Sequence, residues 1–334
     1  MNIRDRRAIH QRSRQILAQA PADPRRVALA YTCITAALAL MVTVLSGFFT
    51  DRIANTGGLG NMGLRSLLST GQTVLPLVQL LVNSCLGFGY HWAVLRMAAG
   101  EEALPGDLAM GFRNWGAVLR LLLFQAIVYG VIGFGSMYLS IYIFLLSPYA
   151  DPFYAVMEPV LQNTSILNSS IVVDEAMAAA VSDSMLPMFL IWAAVLVVFG
   201  LPLYYNYRMS NFCLAENPRR GALAAMIGSK RMLRRNRFAL FRLDLSLWWF
   251  YGLQVLISLL CYGDVLLALV GVRLPLDPTF AYYFFFVLSL ILQIVTYYFF
   301  MNRVYVAYAL AYRSLKEPPQ VTQPPQDFPY PTEE

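Results

Sequence analysis

Apolar residues fall into six long runs, 27–50, 73–97, 117–149, 186–207, 245–270 and 280–309, separated by shorter polar segments. An α-helix needs about 20 apolar residues to cross roughly 30 Å of hydrocarbon, and each run reaches that length. Lipid offers no partner for backbone N–H and C=O groups, so a crossing segment pairs them internally, as a helix does. The pattern predicts an all-α, polytopic transmembrane helical bundle of about six spans. Residues 1–26 form a basic amphipathic segment, 27–315 the six-span domain, and 316–334 a Pro- and Gln-rich tail expected to be disordered. The third run is over-long for one crossing and is expected to project from the bilayer or bend near Gly133 and Gly135, glycines that would also permit close helix packing.

Composition supports the same reading. The 334 residues are 58% hydrophobic and only 13% charged, against about 25% charged in a soluble domain. A water-facing surface needs polar coverage that this chain cannot supply. The first run follows arginines, as a secretory signal does. It ends in Phe48, Phe49, Thr50 and Asp51 with no small-residue cleavage site, so it is read as an uncleaved span.

The net charge of +6 collects between the runs. The N-terminal segment carries Arg4, Arg6, Arg7, Arg12, Arg14, Arg25 and Arg26. The segment after the fourth run carries Arg208, Arg219 and Arg220, then Lys230, Arg231, Arg234, Arg235, Arg237 and Arg242. Between them, 150–187 holds Asp151, Glu158, Asp174, Glu175 and Asp183 and no Lys or Arg. Basic connectors stay in the cytoplasm. Six spans then alternate consistently, with both termini in the cytoplasm. Charge distributed in this way argues against nucleic acid as a partner and for anionic membrane lipids.

Three cytoplasmic pieces read as amphipathic helices. In 2–18, Ile9, Ile16 and Leu17 share a face while arginines cover the rest, as in a helix lying on an anionic leaflet. Segment 105–113 offers Leu108, Met110 and Phe112 after Pro105, and 222–233 places Leu223, Met226, Ile227 and Leu233 on one side. Segments 99–113 and 215–231 share a layout of polar turn and small-residue amphipathic stretch. A parallel repeat of this kind would suit a small transporter or permease.

The stretch 229–250, SKRMLRRNRFALFRLDLSLWWF, resembles the signature of a bacterial integral membrane family catalogued as domain of unknown function 975. Ser229, Lys230, Phe241, Leu243, Asp244, Leu245 and Ser246 carry the match. Arg235 and Trp249 stand where the family tends to have glycine, and Phe250 where it tends to have tryptophan, as in a divergent member. The basic opening 2–17, the hairpin 87–113 and the closing 305–315 (YVAYALAYRSL) are similar to the family as well. The resemblance implies a multi-spanning bacterial membrane protein and supplies no catalytic residue.

No constellation for catalysis is legible. There is no H-E-x-x-H, and Ser136 has no histidine at its depth. Gly263-Asp264 has no facing aspartate and reads as a helix-end carboxylate. Cys33, Cys85, Cys213 and Cys261 form no C-x-x-C pair, so they read as small buried hydrophobes, and no metal or other cofactor is expected. The sequons at Asn163 and Asn168 are incidental in a bacterium. The intramembrane polar positions Asn83, His91, Gln125, Gln254, Asp264 and Gln293 read as interhelical hydrogen-bonding groups or the lining of a polar pathway. Arg96 is expected to snorkel to headgroups. Lys230, Arg231, Arg234, Arg235, Arg237 and Arg242, with Asp244 and Ser246 at the membrane entry, are the candidate contact for anionic lipid or an acidic envelope partner. An arginine is expected to neutralise Asp244.

Overall fold

The apolar runs form helices in the computed structural model, which describes residues 5–55, 62–151, 154, 175–263, 267 and 278–316. The architecture is an all-α helical bundle, with no strand among the described residues. Five helices are long and apolar enough to cross a membrane: Arg25–Asn55, Gly63–Ala99, Trp115–Leu145, Met185–Glu216 and Phe280–Lys316. A further pair, Arg237–Ser246 and Trp248–Leu260, is bent by 63° and completes six if it counts as one span. This is a multi-pass membrane protein. Asp264, Asp174 and both sequons lie outside the described residues.

The chain divides into two compact units, Met1–Leu122 with Met209–Glu334, and Leu123–Arg208. In the first, α1 (Arg6–Ala18) precedes α2 (Arg25–Asn55) and α3 (Met62–Ala99). A 3-10 turn, Pro105–Ala109, and α4 (Met110–Arg113) lead into α5 (Trp115–Leu145). The α3–α4 hairpin closes backbone on backbone. A Cβ on Gly89 would overlap the Leu108 carbonyl, and one on Gly111 the Cys85 carbonyl. Arg96 does not snorkel: it grips Asp107 through both carboxylate oxygens at 2.9 and 3.1 Å and reaches Glu101 at 3.1 Å. The hairpin loop thus brings its own counter-charges.

In the second unit, α5 is followed by α6 (Glu175–Val195), a π-turn at Leu196–Gly200 and α7 (Leu201–Tyr207). Helix α5 runs unbroken past Gly133 and Gly135, and a Cβ at either would meet open space, so these glycines mediate no helix contact among the described residues. Phe134 is 65% exposed here, a surface suited to lipid rather than water.

Returning to the first unit, α8 (Ser210–Glu216), α9 (Ala222–Leu233), α10 (Arg237–Ser246) and α11 (Trp248–Leu260) precede α12 (Pro278–Thr296), a π-turn at Tyr297–Met301 and α13 (Asn302–Lys316). The fifth run was expected as a single span from 245, but the helix breaks at Leu247. There the Leu247 N–H bonds the Asp244 carbonyl, the Phe250 N–H bonds the Leu247 carbonyl, and Ser246 Oγ takes the Leu243 carbonyl at 2.6 Å. These i−3 bonds interrupt the α ladder. Arg237 and Arg242 consequently sit on a helical arm of that broken span. Helix α9 also turns differently from expectation: Met226 and Leu233 are buried with Ala222, Ala225 and Ser229, whereas Leu223 (56% exposed) and Ile227 (50%) face away.

Helix α13 is the hub, buried along Val304, Val306, Ala307, Ala309 and Ala311. Its polar side chains clamp α3, α8, α10 and the backbone ahead of α2. Asn302 accepts from Tyr90 of α3 at 2.6 Å and donates to the Pro24 carbonyl at 2.7 Å. Tyr308 donates to Asp244 at 2.5 Å, and Tyr312 to Glu216 at 2.7 Å, where Lys316 pairs at 2.6 Å. Arg313 caps the end of α3 through the carbonyls of Ala98 (3.0 Å) and Leu95 (3.2 Å).

Candidate functional site

Helix α1 starts cleanly because Asp5 caps it, accepting the Ala8 N–H at 3.1 Å. Expected to lie on lipid, it instead packs its apolar stripe onto protein. Ile9 and Ser13 are fully buried, and α1 contacts α13, α3 and α10. Three hydrogen bonds fix its register. Ser13 Oγ donates to the Arg303 carbonyl at 3.0 Å, His10 Nε2 meets Ser246 Oγ at 2.8 Å, and Arg6 donates to the Arg242 carbonyl at 3.5 Å. Ser13, a polar residue within the apolar stripe, is fully buried with its hydroxyl satisfied by a carbonyl of α13, which favours docking.

Docking leaves a cavity of about 680 Å³ where α1 meets α13 and the α10–α11 bend. Arg7 and Arg14, seven positions and about two turns apart, share one side of α1. With His10 and with Arg303 of α13 they surround the space, and Ser246 and Trp249 close it from the bend. Among the described residues no carboxylate lines it. The field there is positive. Burial, and then Arg303, Arg14 and Arg6, push the pKa of His10 below its ordinary value.

No family profile, curated protein or solved structure matches the chain.

The predicted contact residues separate into three groups. Ser246 joins the cavity wall, and Arg242 flanks it, with its carbonyl holding Arg6 and its guanidinium 4.6 Å from the Phe238 ring centroid. Lys230, Arg231, Arg234 and Arg235 are exposed on α9 and the turn after it, while Arg237 is half-buried. Asp244 turns toward α13, where the Tyr308 hydroxyl supplies a neutral donor to the carboxylate. In the sequence Arg7 and Arg14 read as topology markers and His10 as a histidine with no cysteine at metal-ligand spacing, and nothing there joins them to Arg303. Arg303 had a signal: it is a charge within the apolar run 280–309, where an arginine needs an outlet.

His91 Nδ1 bonds the Gly87 carbonyl one turn back at 2.6 Å, and its ring meets Phe212 edge-on at 4.7 Å. Asn83 and Gln254 each hold one buried atom without a hydrogen-bond partner among the described residues. Neither they, Gln125 nor Gln293 line the arginine cavity or the apolar groove of about 870 Å³ that α5 and α6 form around Phe134, Met137 and Trp192. Among the described residues no group of His, Cys, Asp and Glu is arranged to hold a metal ion.

Proposed function

We propose that this protein is a non-enzymatic module of the bacterial cytoplasmic membrane, with both termini inside, that binds anionic lipid through its arginine-rich end. The observation that carries the reading is the docking of α1 onto α10 and α13. It gathers arginines from the start, middle and end of the chain, Arg6, Arg7, Arg14, Arg242 and Arg303, onto one side of the first unit. Holding like charges together has an electrostatic cost, and a surface bearing phosphates offsets it. Arginine suits this use because its planar fork holds phosphate oxygens in pairs and never loses its charge. The resemblance of 229–250 to the domain of unknown function 975 signature favours kinship with that bacterial family, and the distribution of basic connectors supports the orientation.

The test is the lipid retained by the full chain extracted from native membranes in mild detergent. Anionic phospholipid should be enriched over the bulk membrane, and the enrichment should fall in a variant with Arg7, Arg14 and Arg242 changed to Gln. A retained pool that matches the bulk composition in the unaltered protein would contradict the reading.

A further inference from the structure

We propose that the cavity bounded by Arg7, Arg14, Arg303 and His10 is a stoichiometric binding site for a phosphate ester. The inference deepens the lipid-binding reading and rests on it. That reading needs only a basic surface, whereas this one assigns a single built pocket.

Four observations converge. First, the cations come from two helices far apart in sequence, and no acidic side chain among the described residues enters the wall. Arg14 and Arg303 face the same open space. A fold that assembles like charges around open space without an internal counter-ion is arranged for an anion from outside. Second, Arg303 lines the pocket while its Nε is buried with no acceptor among the described residues, and a buried N–H ordinarily has one. Third, Gln11 and Gln15 add amide donors beside the guanidinium forks. A planar carboxylate matches one fork edge-on, but a tetrahedral phosphate has three oxygens to share among arginines approaching from different helices. Its charge of about −1.5 to −2 also answers several cations at once. Fourth, the volume of about 680 Å³ exceeds what a bare ion fills and falls in the range of small-molecule sites.

The wall also has a direction. Leu247 and Trp249 bring apolar surface from the bend, and the adjacent Trp248 is 68% exposed, as an interfacial tryptophan would be. Helix α11 starts at Trp248, so the positive end of its dipole lies beside the pocket. The monoester phosphate of phosphatidic acid could sit among the arginines with its glycerol toward Trp249. A soluble phosphate monoester satisfies the same cations without the tail.

The experiment is native mass spectrometry of the full chain in detergent, titrated separately with short-chain phosphatidic acid and with glycerol 3-phosphate. Arg7 and Arg14 are exposed and make none of the three bonds that dock α1, so R7A/R14A leaves the helix in place. Protection of the Ile9–Ser13 amides from hydrogen exchange verifies this. One molecule of phosphatidic acid should bind saturably, and R7A/R14A should weaken it about tenfold or more. R234A/R235A, outside the pocket, should leave it within about twofold. Glycerol 3-phosphate binding as tightly as the lipid would support the site and identify a soluble ester as its ligand, whereas binding by the lipid alone would support it as a headgroup site. Equal weakening by both variant pairs, or none by R7A/R14A, would overturn the pocket while leaving the broader lipid reading intact. Failure of the unaltered protein to bind any anionic lipid would overturn both.

Discussion

His10 Nε2 lies 2.8 Å from Ser246 Oγ, a contact between residues 236 positions apart. The single Ser246 proton goes to the Leu243 carbonyl, so Ser246 Oγ accepts from His10, and the neutral Nε2–H tautomer suffices for this bond. The contact therefore holds α1 against the bend without requiring a charge on the imidazole.

Docking of α1 is expected to depend on pH. Burial, Arg303, Arg14 and Arg6 lower the His10 pKa in the docked state, so the undocked helix takes up a proton at higher pH than the docked one. Stability then rises with pH. The contribution is complete above the ordinary histidine value of about 6.5 and is lost as pH falls through the docked value. Hydrogen exchange at Ile9–Ser13, measured from pH 7.5 downward after correction for the intrinsic rate, should accelerate on acidification. His10→Gln should flatten the response, and so should saturating phosphatidic acid, whose negative charge offsets the arginines. An unchanged profile in His10→Gln would remove His10 from the docking interface.

The close approach of α3 to the hairpin gives a sharper packing test. Gly89→Ala and Gly111→Ala force a Cβ into the Leu108 and Cys85 carbonyls, which belong to backbone and cannot swing aside. Each should destabilise the first unit by about 1–3 kcal/mol or more, read as a lower unfolding midpoint in detergent. Gly87→Ala, whose Cβ meets open space, is the matched control and should be near neutral. Equal midpoints for Gly111→Ala and Gly87→Ala would rule out the backbone contact.

Arg313 should matter more than its place near the end of the described chain suggests. Its two bonds to the Leu95 and Ala98 carbonyls complete the C-terminus of α3. Arg313→Ala should cost about 1.5–3 kcal/mol, as expected for charged hydrogen bonds to a half-buried helix end. Arg313→Lys, with one charged point in place of a fork, should recover only part of the loss. Thermal unfolding of the three proteins side by side measures both effects.

Much of the fold was legible because hydropathy acts along the chain. Runs such as 27–50 and 117–149 need no tertiary information to be read as helices. The break at Leu247 was not legible, because it depends on the Ser246 hydroxyl bonding the Leu243 carbonyl and on i−3 main-chain bonds in a segment as apolar as its neighbours. The docking face of α1 was half legible. Ile9 marked a buried stripe, but whether lipid or protein covered it turned on Ser13 finding the Arg303 carbonyl. The cavity was hidden for the same reason: Arg7 and Arg303 become neighbours only through the fold. The arginines of 230–242 looked more distinctive in sequence because they are contiguous, although only Ser246, just beyond them, enters the pocket wall.

The most direct measurement places a photo-crosslinking amino acid at Gln15, in the wall of the arginine cavity, and identifies the lipid adducts formed in living cells. The expected result is a set of adducts enriched in anionic, phosphate-bearing lipids relative to the surrounding membrane, and diminished when Arg7 and Arg14 are replaced by alanine. Adducts that follow bulk lipid composition, and do not respond to the loss of those two arginines, would contradict anionic-lipid binding at this end of the protein.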